Sequence, residues 1–236
     1  MKKVLLALLG SLFLSNTAFA LPNNIQLDYI SKGVESSSET YIYYTSNKIK
    51  IEESKNQIIK GKPLEKPGFL TNFFDAKKNE IYVSFDGGKN LNLFKKASPK
   101  KVRVFGIIPY QMKFDEINDM KKIETNLAKK GFIKKSDEKI KLSNKNFDCN
   151  VFELTLKDQY KTKEGVSNSA TTKVWIDKKL MFPVKESHVM ENGTVLFTYE
   201  LKSIKENVKF GKDFFIPSKS AKIEVSKESY DSIIKD

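Results

Sequence analysis

From residue 25 onward the chain repeatedly places apolar, β-branched or aromatic residues at every second position and breaks these runs with short polar turns. Half-buried antiparallel strands have this pattern. Successive strand side chains point to opposite faces, so each run must lay one face against something apolar. The alternation predicts strands over Ile25–Ser31, Thr40–Thr45, Lys48–Glu53, Gln57–Lys60, Glu80–Phe85, Asn90–Lys95 and Lys101–Ile107. Further strands are predicted over Lys139–Ser143, Phe147–Leu156, Thr171–Asp177, Val184–Met190, Thr194–Ile204 and Ala221–Val225.

The turns carry their own chemistry. Asn192-Gly193 accepts the positive φ of a tight hairpin, which links Val184–Met190 to Thr194–Ile204. Asp86-Gly87-Gly88 and Asp177-Lys178-Lys179 mark two more reversals. Residues 61–70 and 158–170 read as loops, the first from its prolines and glycine, the second from its Lys, Ser and Thr. One segment follows a helical period instead: Phe114, Ile117, Met120, Ile123 and Leu127 recur every three or four positions, and Gly131 stands just beyond. An amphipathic helix over Phe114–Lys130 is expected to lie on the sheet. A second short helix is expected at Glu228–Ile234.

Alternation assigns a shared apolar face to Ile49 and Ile51, to Ile81, Val83 and Phe85, to Leu91 and Leu93, and to Val102 and Val104. The same face takes Val174 and Ile176, and Val195, Phe197, Tyr199 and Leu201. A twisted sheet of this many strands curls into a barrel or half-barrel. Its interior is either packed or hollow, and alternation alone admits both. The tyrosines Tyr41, Tyr43 and Tyr44, and Trp175, read as cross-strand packing within the sheet.

Lys2 and Lys3, the apolar run Val4 to Leu14 and the small-x-small Ala18-Phe19-Ala20 form a secretory signal peptide, with cleavage expected after Ala20. The remaining 21–236 is read as a single domain, exported to the periplasm and soluble. No cysteine near the cleavage point could accept a lipid anchor, and Cys149, the only cysteine, has no disulfide partner. The formal charge of +13 falls to +11 once Lys2 and Lys3 are removed. Arg103 is the sole arginine, so nearly all of the positive charge is lysine. Lysine gives diffuse point charges and not the bidentate readout of bases, which argues against nucleic acid and toward anionic partners such as a membrane surface.

Catalytic chemistry has little to stand on, and the chain is read as a non-enzyme. The only histidine, His188, sits in a strand beside Ser187 with no nucleophile elbow. No paired Cys or His offers zinc a site, and no glycine-rich phosphate loop exists, so no cofactor or metal is expected. A glycosidase working with carboxylates alone is the one enzyme class left open.

Thr172-Lys173-Val174-Trp175-Ile176-Asp177-Lys178-Lys179, then Phe182-Pro183-Val184-Lys185, Asn192-Gly193, Tyr199-Glu200-Leu201-Lys202-Ser203-Ile204 and Phe215-Ile216-Pro217 resemble the closing succession of the LolA/LolB-like periplasmic lipoprotein-sorting superfamily. Phe74 to Val83 and Asn146 to Glu153 resemble its uncharacterised relatives. The resemblance implies a mainly β fold with few helices, an unclosed antiparallel β-barrel of about 11 strands with a helical lid. It implies that the inward residues named above line a cavity for acyl chains of a lipid or lipoprotein, with Phe114, Ile117, Met120, Ile123 and Leu127 on the lid. A monomeric carrier in outer-membrane lipid or lipoprotein trafficking, served by a membrane-embedded partner, follows from it. The carrier's buried, lid-holding arginine is not assigned to Arg103, which alternation points away from Val102 and Val104. A non-catalytic envelope-assembly or interaction protein with a filled core is the alternative.

Overall fold

The computed structural model describes residues 21–34, 36–59, 62–63, 68–106, 110–162 and 165–233. The expected signal peptide, Lys60, Ile107 and Ile234 therefore lie outside the described residues. Strands β1 (Ile25–Gly33), β2 (Ser36–Tyr44) and β3 (Lys48–Ile59) form an antiparallel meander, and β4 (Lys62–Pro63) folds back on the end of β3. Strands β5 (Gly68–Asp75), β6 (Glu80–Ser84) and β7 (Asn90–Lys95) extend that sheet. Next, β8 (Arg103–Phe105) and β9 (Met112–Lys113) pair only with each other, followed by a 3-10 turn (Phe114–Glu116) and α1 (Met120–Lys129). The chain rejoins the sheet with β10 (Ile133–Lys134) and β11 (Glu138–Leu142), both paired to β12 (Lys145–Thr162). The run continues through β13 (Gly165–Asp177), β14 (Phe182–Met190) and β15 (Val195–Lys205). The C-terminal segment adds β16 (Lys222–Val225) and α2 (Tyr230–Ile233).

One 14-stranded sheet results, in the order β10-β12-β13-β14-β15-β1-β2-β3-β5-β6-β7-β16, with β11 on β12 and β4 on β3. Its two ends, β10 and β16, do not pair, so the barrel is unclosed. All its pairs are antiparallel except β16 on β7. The two halves meet at β1, where Leu27 stands opposite Ile42 on one side and Ile204 on the other.

Several local expectations change. Residues 158–162 and 165–170 are not a loop. They continue β12 and β13 as one long hairpin, with Tyr160 opposite Ser167 and Leu156 opposite Ala170. Its run of Lys, Ser and Thr hides the strand from a composition reading, although the pleat buries Ser167 and Ala170. Gly68–Asp75 is a strand in the middle of the sheet, although its adjacent Phe73 and Phe74 break the alternation by being buried on opposite faces. Gly68–Asp75 and the short β4, β9 and β10 are strands that the alternation does not predict. The Asn192-Gly193 hairpin forms as read: the Gly193 N–H donates to the Met190 carbonyl at 2.9 Å, and Gly193 takes φ +88°. Gly87 and Gly88 likewise take positive φ, while Asp86 Oδ1 accepts the N–H groups of Lys89 and Asn90.

The expected helix over Phe114–Lys130 is divided. Asn118 takes φ +66° and breaks the chain between the 3-10 turn and α1, whose first turn is capped by Asp119 accepting the Lys122 N–H. Gly131, at φ +88°, ends the helix as expected, and Phe132 folds back to bond the Leu127 carbonyl. Ile123 and Leu127 are fully buried against the sheet, so α1 covers its concave face.

Candidate functional site

The inner face of the first half-sheet is a set of cross-strand rows whose character changes along the strands. The first row is Ile25, Tyr44, Ile49, Phe74, Ile81 and Phe94, all apolar and all buried. The next is Leu27, Ile42, Ile51, Asn72 and Val83. After it come Leu201, Tyr29, Thr40, Glu53 and Leu70, and last Tyr199, Ser31, Ser38 and Lys55. One end of the trough is thus apolar and the other turns polar.

Residues 97–106 and 110–132 fill the apolar end. Ala97, Val102, Val104, Phe105, Tyr110, Met112, Phe114, Ile123, Leu127 and Phe132 join the inner-face residues in a single buried cluster. The Phe114 ring packs edge-on against Phe74 at 4.9 Å, and Phe105 lies 4.9 Å from Tyr29 and 4.7 Å from Tyr199. The Tyr29 hydroxyl donates to the Pro183 carbonyl at 2.7 Å, and burial raises its pKa well above the ordinary phenol. Rings at these separations pack this end of the trough as a core.

At the polar end the plug thins to Arg103, Val104, Phe105 and Gly106, and a cleft of about 480 Å³ opens. Such a volume lies in the range of small-ligand sites, roughly 300–1,000 Å³. Its lining interleaves the apolar Ile51, Leu70, Val104, Phe105, Phe197 and Tyr199 with the polar Ser31, Ser38, Thr40, Glu53, Lys55, Asn72 and Arg103. Tyr230 of α2 completes the wall and packs edge-on against Phe94 at 5.8 Å. Gly106 makes the turn that shapes the floor: it takes φ +90°, and a Cβ there would stand 2.6 Å from the Tyr110 carbonyl oxygen.

The residues expected to line a cavity divide accordingly. Ile51, Val104, Phe197 and Tyr199 line the cleft. Ile49, Ile81, Val83, Val102, Val174, Ile176 and Leu201 are packed in the core. Phe85 and Val195, expected inside, are 73% and 49% exposed because each lies at or past a strand end, where the pleat no longer dictates direction. Leu91 and Leu93 also depart from the expected face: Phe94 stands opposite Ile81 and Asn92 opposite Val83, so register turns both leucines outward with Tyr82. On that outer face Tyr43 meets the rings of Phe210 and Phe214 from the C-terminal segment, and the Lys50 ammonium lies 4.6 Å from the Phe214 ring.

Among the lid residues, Phe114 belongs to the 3-10 turn, Ile117 and Met120 are half-buried at the core edge, and Ile123 and Leu127 hold α1 down. Arg103, expected to point away from the interior, lines the cleft beside Val104. It sits on β8, which is part of the plug and not of the sheet, so a residue off the core face of β8 still faces the trough. The sequence did carry a signal for the polar end: at the parity of Ile49 and Ile51 come Glu53 and Lys55, and at the parity of Ile42 come Thr40 and Ser38.

Elsewhere the reactive residue types are engaged in packing. His188 Nδ1 lies 2.6 Å from Thr172 Oγ1, and burial lowers its pKa. Burial pushes the Cys149 thiol up to about 12, with Asp177 adding to it. Trp175 lies between the ammonium groups of Lys173 and Lys185, at 4.7 and 5.4 Å, and its Nε1 donates to Glu138 at 2.7 Å. Among the described residues no group of three His, Cys, Asp or Glu is placed to hold a metal ion, and no helix is long and apolar enough to cross a membrane.

No protein-family pattern and no curated protein sequence matches the chain. Solved structures with a similar chain path exist at low identity. An uncharacterized conserved protein from Thermus thermophilus is 10% identical with a TM-score of 0.46, covering 89% of this chain and 93% of that one. The MucA/MucB complex of Pseudomonas aeruginosa is 11% identical with a TM-score of 0.40, covering 85% of this chain and 57% of that one. A LolA superfamily protein from Nitrosomonas europaea is 9% identical with a TM-score of 0.29, covering 84% and 92%. Likeness of this order does not assign the chain to a family.

Proposed function

We propose that the protein is an exported, non-catalytic binding protein of the cell envelope, which holds one acyl chain of a lipid or lipoprotein in the cleft between the half-barrel and its plug. The carrying observation is the cleft itself: an aliphatic and aromatic wall left uncovered at one end of a trough that is otherwise packed. Burying a methylene is worth ~0.8 kcal/mol, so a twelve-carbon chain offers about 10 kcal/mol before ordering costs. Lys55 and Arg103 at the cleft suit an anionic end of such a molecule. The engagement of His188 and the inert, buried Cys149 support a role without catalysis. The leader pattern in the sequence supports export to the periplasm.

Native mass spectrometry of protein purified from its own envelope, with dodecanoate added to a delipidated sample, tests the reading. One bound chain per molecule is expected, and Leu70→Trp, which fills the cleft, is expected to abolish it. Absence of any bound chain under both conditions overturns it. The filled state of the deeper trough favours the second reading, a packed interaction protein of the envelope. That reading gains if affinity capture finds a protein partner while lipid stays absent.

A further inference from the structure

The cleft wall is not built for hydrocarbon alone. Reading the rows outward, the same inner-face positions that hold Ile42 and Ile51 hold Thr40 and Glu53 one step on, and Ser38 and Lys55 one step beyond. The Ser31 and Ser38 hydroxyls lie 2.7 Å apart, and Ser31 Oγ also accepts the Ser38 N–H at 3.1 Å. Two buried polar atoms of this wall accept no hydrogen bond, Thr40 Oγ1 and Asn72 Oδ1. The Thr40 hydroxyl donates toward the Tyr199 oxygen and so tempers the rise in that phenol's pKa, which leaves the Thr40 lone pairs without a donor. Both atoms can accept a hydrogen bond, and both residues line the cleft. Buried polar atoms left unpaired penalise any occupant that brings no donor, and this is how a site rejects an analogue lacking a hydroxyl.

We infer that the cleft selects its amphiphile by a hydroxyl-bearing headgroup, of glycerol or sugar type, whose O–H groups donate to Thr40 Oγ1 and Asn72 Oδ1 while the chain lies along Phe105, Phe197 and Tyr199. The inference rests on the acyl-binding reading above and specifies which acyl compounds are held. Ligands ending in a quaternary ammonium or a bare methyl ester leave both acceptors unpaired.

Calorimetric titration with four probes sharing a twelve-carbon tail tests it: dodecyl maltoside, monododecanoylglycerol, dodecylphosphocholine and dodecanoate, each below its micelle concentration. At least one hydroxylated probe is expected to bind about tenfold or more tighter than dodecylphosphocholine. Preference for the maltoside alone or the monoglyceride alone identifies the sugar or the glycerol source. Thr40→Val and Asn72→Leu are each expected to cut that preference about fivefold, and Thr40→Ser to keep it. Equal binding of the hydroxylated probes and dodecylphosphocholine, or an undiminished preference in both variants, overturns the inference while leaving acyl binding intact. Failure of all four probes to bind overturns the acyl-binding reading and this inference with it.

Discussion

The side chain of Asn118 closes on the backbone of Leu21 from both sides, its Oδ1 accepting the Leu21 N–H and its Nδ2 donating to the Leu21 carbonyl at 3.4 Å. Leu21 is buried in the core, and Asn118 is the left-handed residue that separates the 3-10 turn from α1. The start of the sheet and the start of the helix are thereby tied across 97 positions of sequence. Asn118→Ala removes both hydrogen bonds and keeps an unfavourable φ, so it should cost about 1–3 kcal/mol. Asn118→Gly, which relaxes the backbone, should cost less. Urea unfolding of the two variants checks the order.

Gly106→Ala should be among the most damaging single-methyl changes in the chain. Its φ of +90° disfavours a side chain, and the added Cβ would meet the Tyr110 carbonyl oxygen at 2.6 Å. We expect a loss of about 2 kcal/mol or more, with the cleft floor displaced. A thermal melt alongside ligand titration reads both effects. An unchanged melting temperature would contradict the turn as described.

Leu127→Ala should loosen α1 from the concave face. Leu127 is fully buried beside the inner-face residues, and truncating such a leucine typically costs about 2–5 kcal/mol. Amide hydrogen exchange should show faster exchange in Met120–Lys129 than in β13 or β14. Uniform exchange across the molecule would mean that the helix is not a separable cover.

Trp175 is the only tryptophan and reports on the outer face of β13. Its Nε1 donates to Glu138, whose second oxygen takes the Lys173 ammonium at 2.6 Å. The Lys173 and Trp175 hydrogen bonds hold the Glu138 carboxyl below its ordinary 4.5. A depressed folded-state pKa gives a stabilisation that is present above 4.5 and is lost as pH falls through the folded value. Tryptophan emission should shift to the red on acidification below pH 4.5, and Glu138→Ala should show that shift already at about pH 7.

His188 is expected to set a second pH window. Burial lowers its folded-state pKa from 6.5, so the unfolded chain takes up a proton first as pH falls. Stability should decline as pH drops from 6.5 toward the folded-state value. His188→Gln should flatten that part of the profile. Glu116 and Asp177, both raised by burial, carry the opposite sign and favour the folded state as they protonate. Chemical unfolding at half-unit pH steps separates the windows.

Much of the local structure was legible in the residues. Asn192-Gly193 and Gly131 declared their turn and stop because positive φ is a local requirement that few residues meet. Ile123 and Leu127 marked the buried face of α1 because helix periodicity survives in sequence whatever the helix covers. Phe73-Phe74 concealed a strand because both faces of β5 are covered, the outer one within reach of the Lys50 ammonium at 5.3 Å from the Phe73 ring. Leu91 and Leu93 were placed on the wrong face because alternation says that two residues share a side but not which side it is.

Sequence by itself determined the pleat, the turns, the helix and its stop, and the preponderance of sheet, since each depends on the chemistry of residues a few positions apart. Tertiary structure alone decided that β1 joins the two halves, that Asn92 faces Val83, and that residues 97–106 and 110–132 fill one end of the trough and leave the other open. Register and filling depend on which distant segments meet, and a two-residue period carries no record of its partner across the sheet.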